Sequence, residues 1–316
     1  MKVRVALAGC GGWGRNLLRV LVESPGAEVI AVADPSPQRK AVAAGLAPHA
    51  AVVSTFEEAL AARPDAVVIA TPPHTHASLA LAALAAGADV FVEKPLATRA
   101  ADADRLASRA AALGRVAMVG HLLRYHPAVV RLLEIAESGA LGPLRRFEAS
   151  RLSAAGDRSA SAIWTLGPHD YSVLHALDPS PMRTSSVRAG PTGDPVLIEA
   201  QLASGLEVSI ALSRVAPAKE RWFRIVGATA AATFDDVRAP DRVVVGTREH
   251  AVVWREPLAV EIEHFLQCVR DRSRPLTSFD DGRLVVHALA AAEERLSEPR
   301  TAASGPEPRA QAAGEH

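Results

Sequence analysis

The chain has 316 residues, 49% of them apolar, with 35 basic and 35 acidic side chains and a formal charge of zero. Its length favours two domains over a single core. The balanced charge, with no basic block, argues against a nucleic-acid partner, and no uninterrupted apolar run reaches membrane length. Cys10 and Cys268 are isolated thiols, which fits a reducing cytoplasm better than a disulfide framework.

The first 120 residues alternate between two patterns. Short β-branched runs at 3–8, 29–33, 66–70, 90–92 and 116–119 are separated by segments of helical spacing, such as Trp13, Leu17, Val20 and Leu21. Continuous apolar runs predict strands covered on both faces, and the alternation predicts a doubly wound parallel sheet. A short strand at 51–53 precedes Ser54-Thr55-Phe56-Glu57, which reads as a capping box for a helix ending near Arg63. Beyond Arg124 a helix is expected to about Ser138, closed by Gly139.

The period then changes to two. Residues 196–202 and 206–212 alternate around a Ser204-Gly205 turn, a hairpin signature. Further strands are expected at 144–151, 222–226, 231–234, 243–245 and 252–254, then helices at 258–270 and 280–295. The expected fold class is α/β: an N-terminal Rossmann sheet over 1–121, then an α+β domain with an open, mostly antiparallel sheet over 122–297. The Ala-, Gly-, Pro- and Glu-rich end, 298–316, reads as a disordered tail.

Gly9-Cys10-Gly11-Gly12-Trp13-Gly14 follows the first strand and opens the first helix. Gly9 permits the tight turn, Gly11 lets a pyrophosphate approach the backbone, and Gly14 lets helix and strand pack closely. The helix N-terminus offers N–H groups and partial positive charge to the phosphates. Asp34 ends the second strand about twenty residues on, placed to hold ribose hydroxyls. These features predict dinucleotide binding. The carboxylate favours NAD, while Arg39 and Lys40 leave NADP open.

Two later turns share the same sheet edge. Thr71-Pro72-Pro73-His74-Thr75-His76 follows the fourth strand; it shapes the cofactor pocket, with His76 touching cofactor or helix backbone. Two histidines are too few to propose a metal. Glu93-Lys94-Pro95 ends the fifth strand. Burial and a nearby positive nicotinamide would lower a lysine pKa, so that Lys94 could take a hydroxyl proton as hydride leaves the same carbon. The plainer reading is a Glu93–Lys94 ion pair. His169, in Gly167-Pro168-His169-Asp170, reads as lying at a helix start near Pro168, where an imidazole is kept neutral. The alternative is a solvated or core histidine beside a capped helix.

With these residues in hand, the chain resembles the Gfo/Idh/MocA family of nicotinamide-dependent oxidoreductases. The glycine motif, Thr71-Pro72 with His76, Glu93-Lys94-Pro95, Gly120-His121-Leu122-Leu123-Arg124-Tyr125, the segment ending at His169, Glu261-Ile262-Glu263-His264-Phe265 and Ser278-Phe279-Asp280-Asp281-Gly282 carry the likeness, from Gly9 to about Ala292. The resemblance implies NAD or NADP as cofactor and a sugar, cyclitol or nucleotide sugar as substrate. It implies Lys94 as acid/base, His169 as a catalytic partner, and Arg124 and Tyr125 lining the substrate pocket. It also implies a homodimer or homotetramer formed through the second sheet. One departure stands out. Many members carry Asp four residues before the histidine, where this chain has Thr165; Asp170 is a candidate replacement.

The expected activity is therefore hydride transfer between nicotinamide and a secondary alcohol or ketone. His121, Arg124, Tyr125, His169 and Asp170 would form a polar rim for substrate hydroxyls. Arg151 and Arg158 flank a Ser-, Ala- and Gly-rich stretch that reads as an active-site loop; either would bind a phosphate or carboxylate, or be ordinary surface charge. Two alternatives are a nicotinamide-binding sensor without turnover and an imine or aldehyde reductase on the same scaffold.

Overall fold

The computed structural model describes residues 1–153 and 161–297. Arg158 and the expected tail lie outside the described residues. The first sheet is parallel throughout, in the order β3-β2-β1-β4-β5-β6. Its strands are β1 (Val3–Ala8), β2 (Ala27–Ala33), β3 (Ala51–Val53), β4 (Ala66–Ile69), β5 (Asp89–Glu93) and β6 (Ala117–Gly120). Strands β4, β5 and β6 are buried along their whole length, as the unbroken apolar runs require of a sheet with helices on both faces. Those helices are α1 (Gly14–Glu23), α2 (Pro37–Leu46), α3 (Phe56–Ala61), α4 (His76–Ala85) and α5 (Ala100–Ala112). The strand order reverses between β1 and β4, and ligands of such sheets bind outside the carboxyl ends at that crevice.

The capping box lies one residue beyond its expected place. Thr55 is the cap of α3, and Glu58, not Glu57, reaches back to its N–H. Ser54 and Thr55 are both competent caps. The outcome follows from Phe56, whose burial makes it the first helical residue.

A 3-10 turn, Leu122–Tyr125, leads into α6 (Pro127–Glu137), β7 (Leu144–Leu152) and α7 (Ala162–Leu177). The second sheet adds β8 (Met182–Ala189), β9 (Val196–Leu202), β10 (Glu207–Ser213), β11 (Glu220–Gly227), β12 (Ala231–Asp235), β13 (Ala239–Val245) and β14 (Arg248–Ala251). Its order is β14-β13-β12-β11-β7-β10-β9-β8, antiparallel except for the β7–β10 pair. The β9–β10 hairpin turns at Gly205, whose φ of +94° suits glycine. One face of this sheet packs on α6 and α7 around Phe147, Ile198, Ile210 and Phe223. The other carries charge, with Arg224 and Arg146 each 3.3 Å from Glu148.

Three expectations are corrected. Residues 252–254 are not a strand; β14 ends at Ala251, and Val253 and Trp254 are exposed, so their β-branched and aromatic character had no sheet to join. Strand β8 was not expected, because its sequence MRTSSVRA is polar; it is an edge strand held by backbone pairing to β9. Helix α7 starts at Ala162 rather than near Pro168, which lies inside it.

The closing helices α8 (Pro257–Asp271) and α9 (Phe279–Ser297) return towards the first sheet. Leu258, Ile262 and Phe265 of α8 share a core with Leu7, Leu17, Phe91 and Tyr125. Phe265 meets Phe91 edge-on at 5.6 Å, and burying each such ring contributes roughly 1.5–3 kcal/mol. Phe279 and Val286 of α9 join the core on the other face of the sheet.

Candidate active site

The glycine loop has the shape its sequence predicts. Gly9 has φ +89°, and a Cβ there would lie 2.7 Å from the Ala70 carbonyl oxygen. At Gly14 a Cβ would meet the Gly9 carbonyl oxygen at 2.1 Å, so helix and loop touch as only glycine allows. Gly12 has nothing within 4 Å of such an atom, and Gly11 only the Arg39 guanidinium at 3.8 Å. This open backbone ahead of α1 fits a dinucleotide pyrophosphate. Asp34 is buried beneath it. Its Oδ2 accepts from Cys10 N–H at 2.8 Å and its Oδ1 from Ser36 N–H at 2.9 Å, with Arg39 3.8 Å away. Asp34 thus fastens the loop to the end of β2, and the Arg39 guanidinium lies against Asp34 and Gly11.

The Thr71 and Lys94 turns are tied together by His76. Its Nδ1 lies 2.8 Å from the Pro95 carbonyl and its Nε2 2.9 Å from the Thr71 carbonyl. Burial pushes its pKa down, opposed by those two carbonyls. Both nitrogens are therefore engaged by main chain, so His76 braces the two turns instead of facing a ligand. Thr71 Oγ1 bonds to Thr75 Oγ1, and the Pro72 carbonyl accepts from Thr75. His74 is exposed.

Glu93, at the end of β5, is buried beside the glycine loop. Trp13 donates its indole N–H to Oε1, and Lys94 its backbone N–H to Oε2 at 3.1 Å. Burial is the chief cause that raises the Glu93 pKa to about 7, against the pull of Trp13 and Lys94. The Lys94 amine points away from this carboxylate and donates to the Thr165 carbonyl at 3.3 Å. Burial lowers its pKa; Glu93 opposes this and Arg151 adds to it. The result is a lysine able to exist as a free amine, the state a general base needs.

Helix α7 supplies the opposite wall. Pro168 has no N–H for the Trp164 carbonyl and so loosens the ladder at this turn. The Thr165 carbonyl that receives Lys94 lies beside that break. His169 follows, with Nδ1 buried and unpartnered. Its pKa falls well below the ordinary value, chiefly by burial, then by Lys94 and Arg151. Enclosure among cations, and not a helix N-terminus as expected, is what disfavours the charged form of His169. His121 is also buried, with no partner for either nitrogen among the described residues, and burial lowers its pKa to about 3. Arg124 donates to the Ser172 carbonyl at 3.5 Å, while its Nε has no partner. Lys94, His121, Arg124 and His169 thus present unused donors and acceptors in one place.

Two expected members of the rim are elsewhere. Tyr125 is buried in the core, its hydroxyl 3.0 Å from Thr277 Oγ1 and its ring 5.5 Å from His264. It roots the turn that carries Arg124 and does not face substrate. Asp170 has no exposed surface; both its oxygens accept from Arg151 Nε at 3.1 Å, and Oδ1 also from Nη2 at 2.9 Å. Burial raises its pKa and Arg151 lowers it. Its carboxylate is committed to Arg151, so it replaces neither the missing acid at Thr165 nor a substrate contact. Arg151, in turn, is neither surface charge nor a free anion site; it is a buried wall of the cluster, stacked 5.6 Å over Phe223.

Two acids from the closing-helix motifs, given no role from sequence, lie close by. Glu261 on α8 is fully buried with both carboxyl oxygens unpartnered. Asp281 on α9 faces His175 at 3.4 Å and accepts from Ser278; these bonds outweigh burial and hold its pKa near about 2. Among the described residues no cluster of His, Cys, Asp and Glu could hold a metal ion, and no helix is long and apolar enough to cross a membrane.

Comparison with known proteins agrees with this fold. Residues 3–121 match the model of a family described as an oxidoreductase family with an NAD-binding Rossmann fold. An inositol 2-dehydrogenase of Acidiphilium cryptum is 34% identical over 225 residues, 66% of this chain and 67% of that protein. A UDP-N-acetylglucosamine 3-dehydrogenase of Acidithiobacillus ferrooxidans is 32% identical over 253 residues, 74% of this chain and 79% of that one. The solved structure of the Acidithiobacillus ferrooxidans enzyme superposes with a TM-score of 0.83 at 26% identity, covering 94% of this chain and 98% of its own. A 3-ketoreductase from Actinomadura kijaniata in complex with NADP, at 20% identity and a TM-score of 0.84, shares the fold over 94% of this chain and 98% of its own.

Proposed function

Since the chain belongs to the Gfo/Idh/MocA family of oxidoreductases, we propose that it is an NAD(P)-dependent dehydrogenase or reductase of a ring secondary alcohol in a cyclitol, sugar or nucleotide sugar, with Lys94 as acid/base. The observation that carries this reading is the Lys94 amine: at the carboxyl edge of β5, depressed in pKa, held by a main-chain carbonyl and, among the described residues, without a carboxylate partner. The bound nicotinamide would supply the hydride acceptor or donor. Gly11, Gly12 and the start of α1 would hold its pyrophosphate, with Asp34 and Arg39 at the adenosine end.

The proton chemistry belongs to the chain. In the oxidising direction the free Lys94 amine takes the carbinol proton; in the reducing direction the ammonium returns it. Thr165 holds the amine in register through its carbonyl. His169 and His121, both neutral, offer one donor and one acceptor nitrogen each to ring hydroxyls. Arg124 adds a charged donor. This array suits a polyol, whose hydroxyls both donate and accept. NAD is the favoured cofactor because a carboxylate lies below the ribose site, and Arg39 is the group that would accept a 2′-phosphate. The subunits would pair through the charged outer face of the second sheet to form a homodimer or homotetramer.

The test is spectrophotometric. Purified protein with NAD+ or NADP+ is given myo-inositol, free sugars and UDP- and dTDP-sugars, and reduced nicotinamide is followed. Turnover on at least one is expected, and Lys94→Ala should lower kcat by about 10²–10⁴ with cofactor affinity retained. Tight cofactor binding without turnover in either direction would replace this reading with a sensor. Activity undiminished in Lys94→Ala would remove the lysine from the chemistry.

A further inference from the structure

The site contains two carboxyls that the proton chemistry above does not use. Glu93 and Glu261 are both buried, and both Glu261 oxygens lack a hydrogen-bond partner. Among the described residues neither forms an ion pair within 4.0 Å. The groups around them are few. Trp13, ahead of α1, donates to Glu93. Lys94, the nearest cation, turns its amine to Thr165. From the 3-10 turn come Tyr125, whose hydroxyl bonds Thr277 and is held protonated by burial, and Arg124. On α8 itself are Cys268 and His264, the latter lowered by burial. Burial raises Glu93 to about 7 and Glu261 well above its ordinary value, with the Glu93 charge adding to the latter. Two enclosed carboxyls that feel each other do not both ionise.

A buried carboxyl with no ion-pair partner among the described residues lies one residue from the amine that must reach the reacting carbon. The oxidised nicotinamide ring carries a positive charge there, and the reduced ring carries none. We propose that this carboxyl pair senses the redox state of the cofactor: Glu93 releases its proton to solvent as the oxidised form binds, Glu261 keeps its proton, and the reduced form binds without proton release. This rests on the nicotinamide reading above. It makes affinity for the oxidised cofactor, and not for the reduced one, rise with pH.

The experiment is calorimetric titration of the full chain with NAD+ and with NADH, in buffers of contrasting ionisation heat. At pH 6.5, NAD+ should release about three-quarters of a proton, and its affinity should rise about tenfold between pH 6 and pH 8. NADH should release none and change less than about twofold. Glu93→Gln should abolish both effects, whereas Glu261→Gln, which preserves a neutral neighbour, should keep them. Lys94→Ala should also keep the release, which excludes the lysine as its source. Equal proton release with both cofactors, or release that survives Glu93→Gln, overturns the proposal. So does a loss of release in Glu261→Gln. If Glu93→Gln fails to fold, the contrast between NAD+ and NADH and the other two variants still decide. Binding of both cofactors without the contrast refutes this inference alone; binding of neither refutes the cofactor reading as well.

Discussion

Asp170→Asn is the sharpest probe of how the cluster is built. The substitution keeps the shape of a side chain with no exposed surface and removes the only carboxylate among the described residues within hydrogen-bond reach of Arg151, itself buried. Breaking a buried pair by removing one partner typically costs about 3–5 kcal/mol, because the other charge is left uncompensated. Burial already strains the Asp170 carboxylate, as its raised pKa shows, which points to the lower part of that range. For a chain of this size the loss corresponds to a fall in Tm of roughly 4–8 °C. A second effect concerns Lys94, which Arg151 already depresses. With Arg151 no longer neutralised, the lysine pKa falls further, and the rising limb of the oxidative pH–rate profile moves to lower pH. Thermal melting and kcat against pH measure the two effects independently. Arg151→Met with Asp170→Leu should recover most of the melting temperature, since replacing both partners of a buried pair with apolar groups is close to neutral. An Asp170→Asn protein melting within about 2 °C of the parent, with its pH profile unmoved, would refute the buried pair and its reach to Lys94.

Other expectations follow from the same geometry. The Glu93 pKa is raised in the folded chain, so its stabilising contribution is complete below the ordinary carboxylate value of 4.5 and is lost as pH rises through about 7. Cofactor-free Glu93→Gln should therefore be more stable than the parent at pH 8 by roughly 2–3 kcal/mol, the gap closing towards pH 4.5; equal Tm at both pH values would contradict this. Gly12→Ala meets nothing within 4 Å and should fold normally while losing at least about tenfold in NADH affinity by fluorescence titration. Gly14→Ala, with its new atom 2.1 Å from the Gly9 carbonyl oxygen, should also lower the melting temperature. Arg39→Ala should weaken NADP+ about tenfold and leave NAD+ nearly unchanged; a parallel loss of both would place Arg39 away from the 2′ position.

Much of the cofactor end was legible in the sequence because its determinants are local. The glycine loop needs only a strand, a tight turn and a helix start within fourteen residues, and Glu93-Lys94-Pro95 declares itself by ending an apolar run. The substrate end was less legible. Arg151 and Asp170 meet across nineteen residues, from a strand to a helix, and neither advertises the other. Pro168 was read as a helix start because proline favours first turns. Here the helix runs through it, and the Trp164 carbonyl loses its intrahelical donor. His169 was expected at a helix start that would disfavour its charged form; it lies inside the helix, and burial is the chief cause that lowers its pKa. His76 and Tyr125 show the limit of reading side chains from motifs. Tyr125 was expected at the substrate and His76 at cofactor or helix backbone; Tyr125 bonds Thr277, and His76 lies against the Pro95 and Thr71 carbonyls.

The return of α8 to the underside of the first sheet bears on how such a chain is put together over evolutionary time. Leu258, Ile262 and Phe265 complete the core that begins with Leu7 and Leu17, although some 240 residues separate them. A recombination that exchanged everything after the glycine-loop half for foreign sequence would strip the apolar floor from beneath the nucleotide platform. New specificities on this scaffold are therefore acquired more safely by altering what lies between β6 and α8, with the flanking segments inherited together.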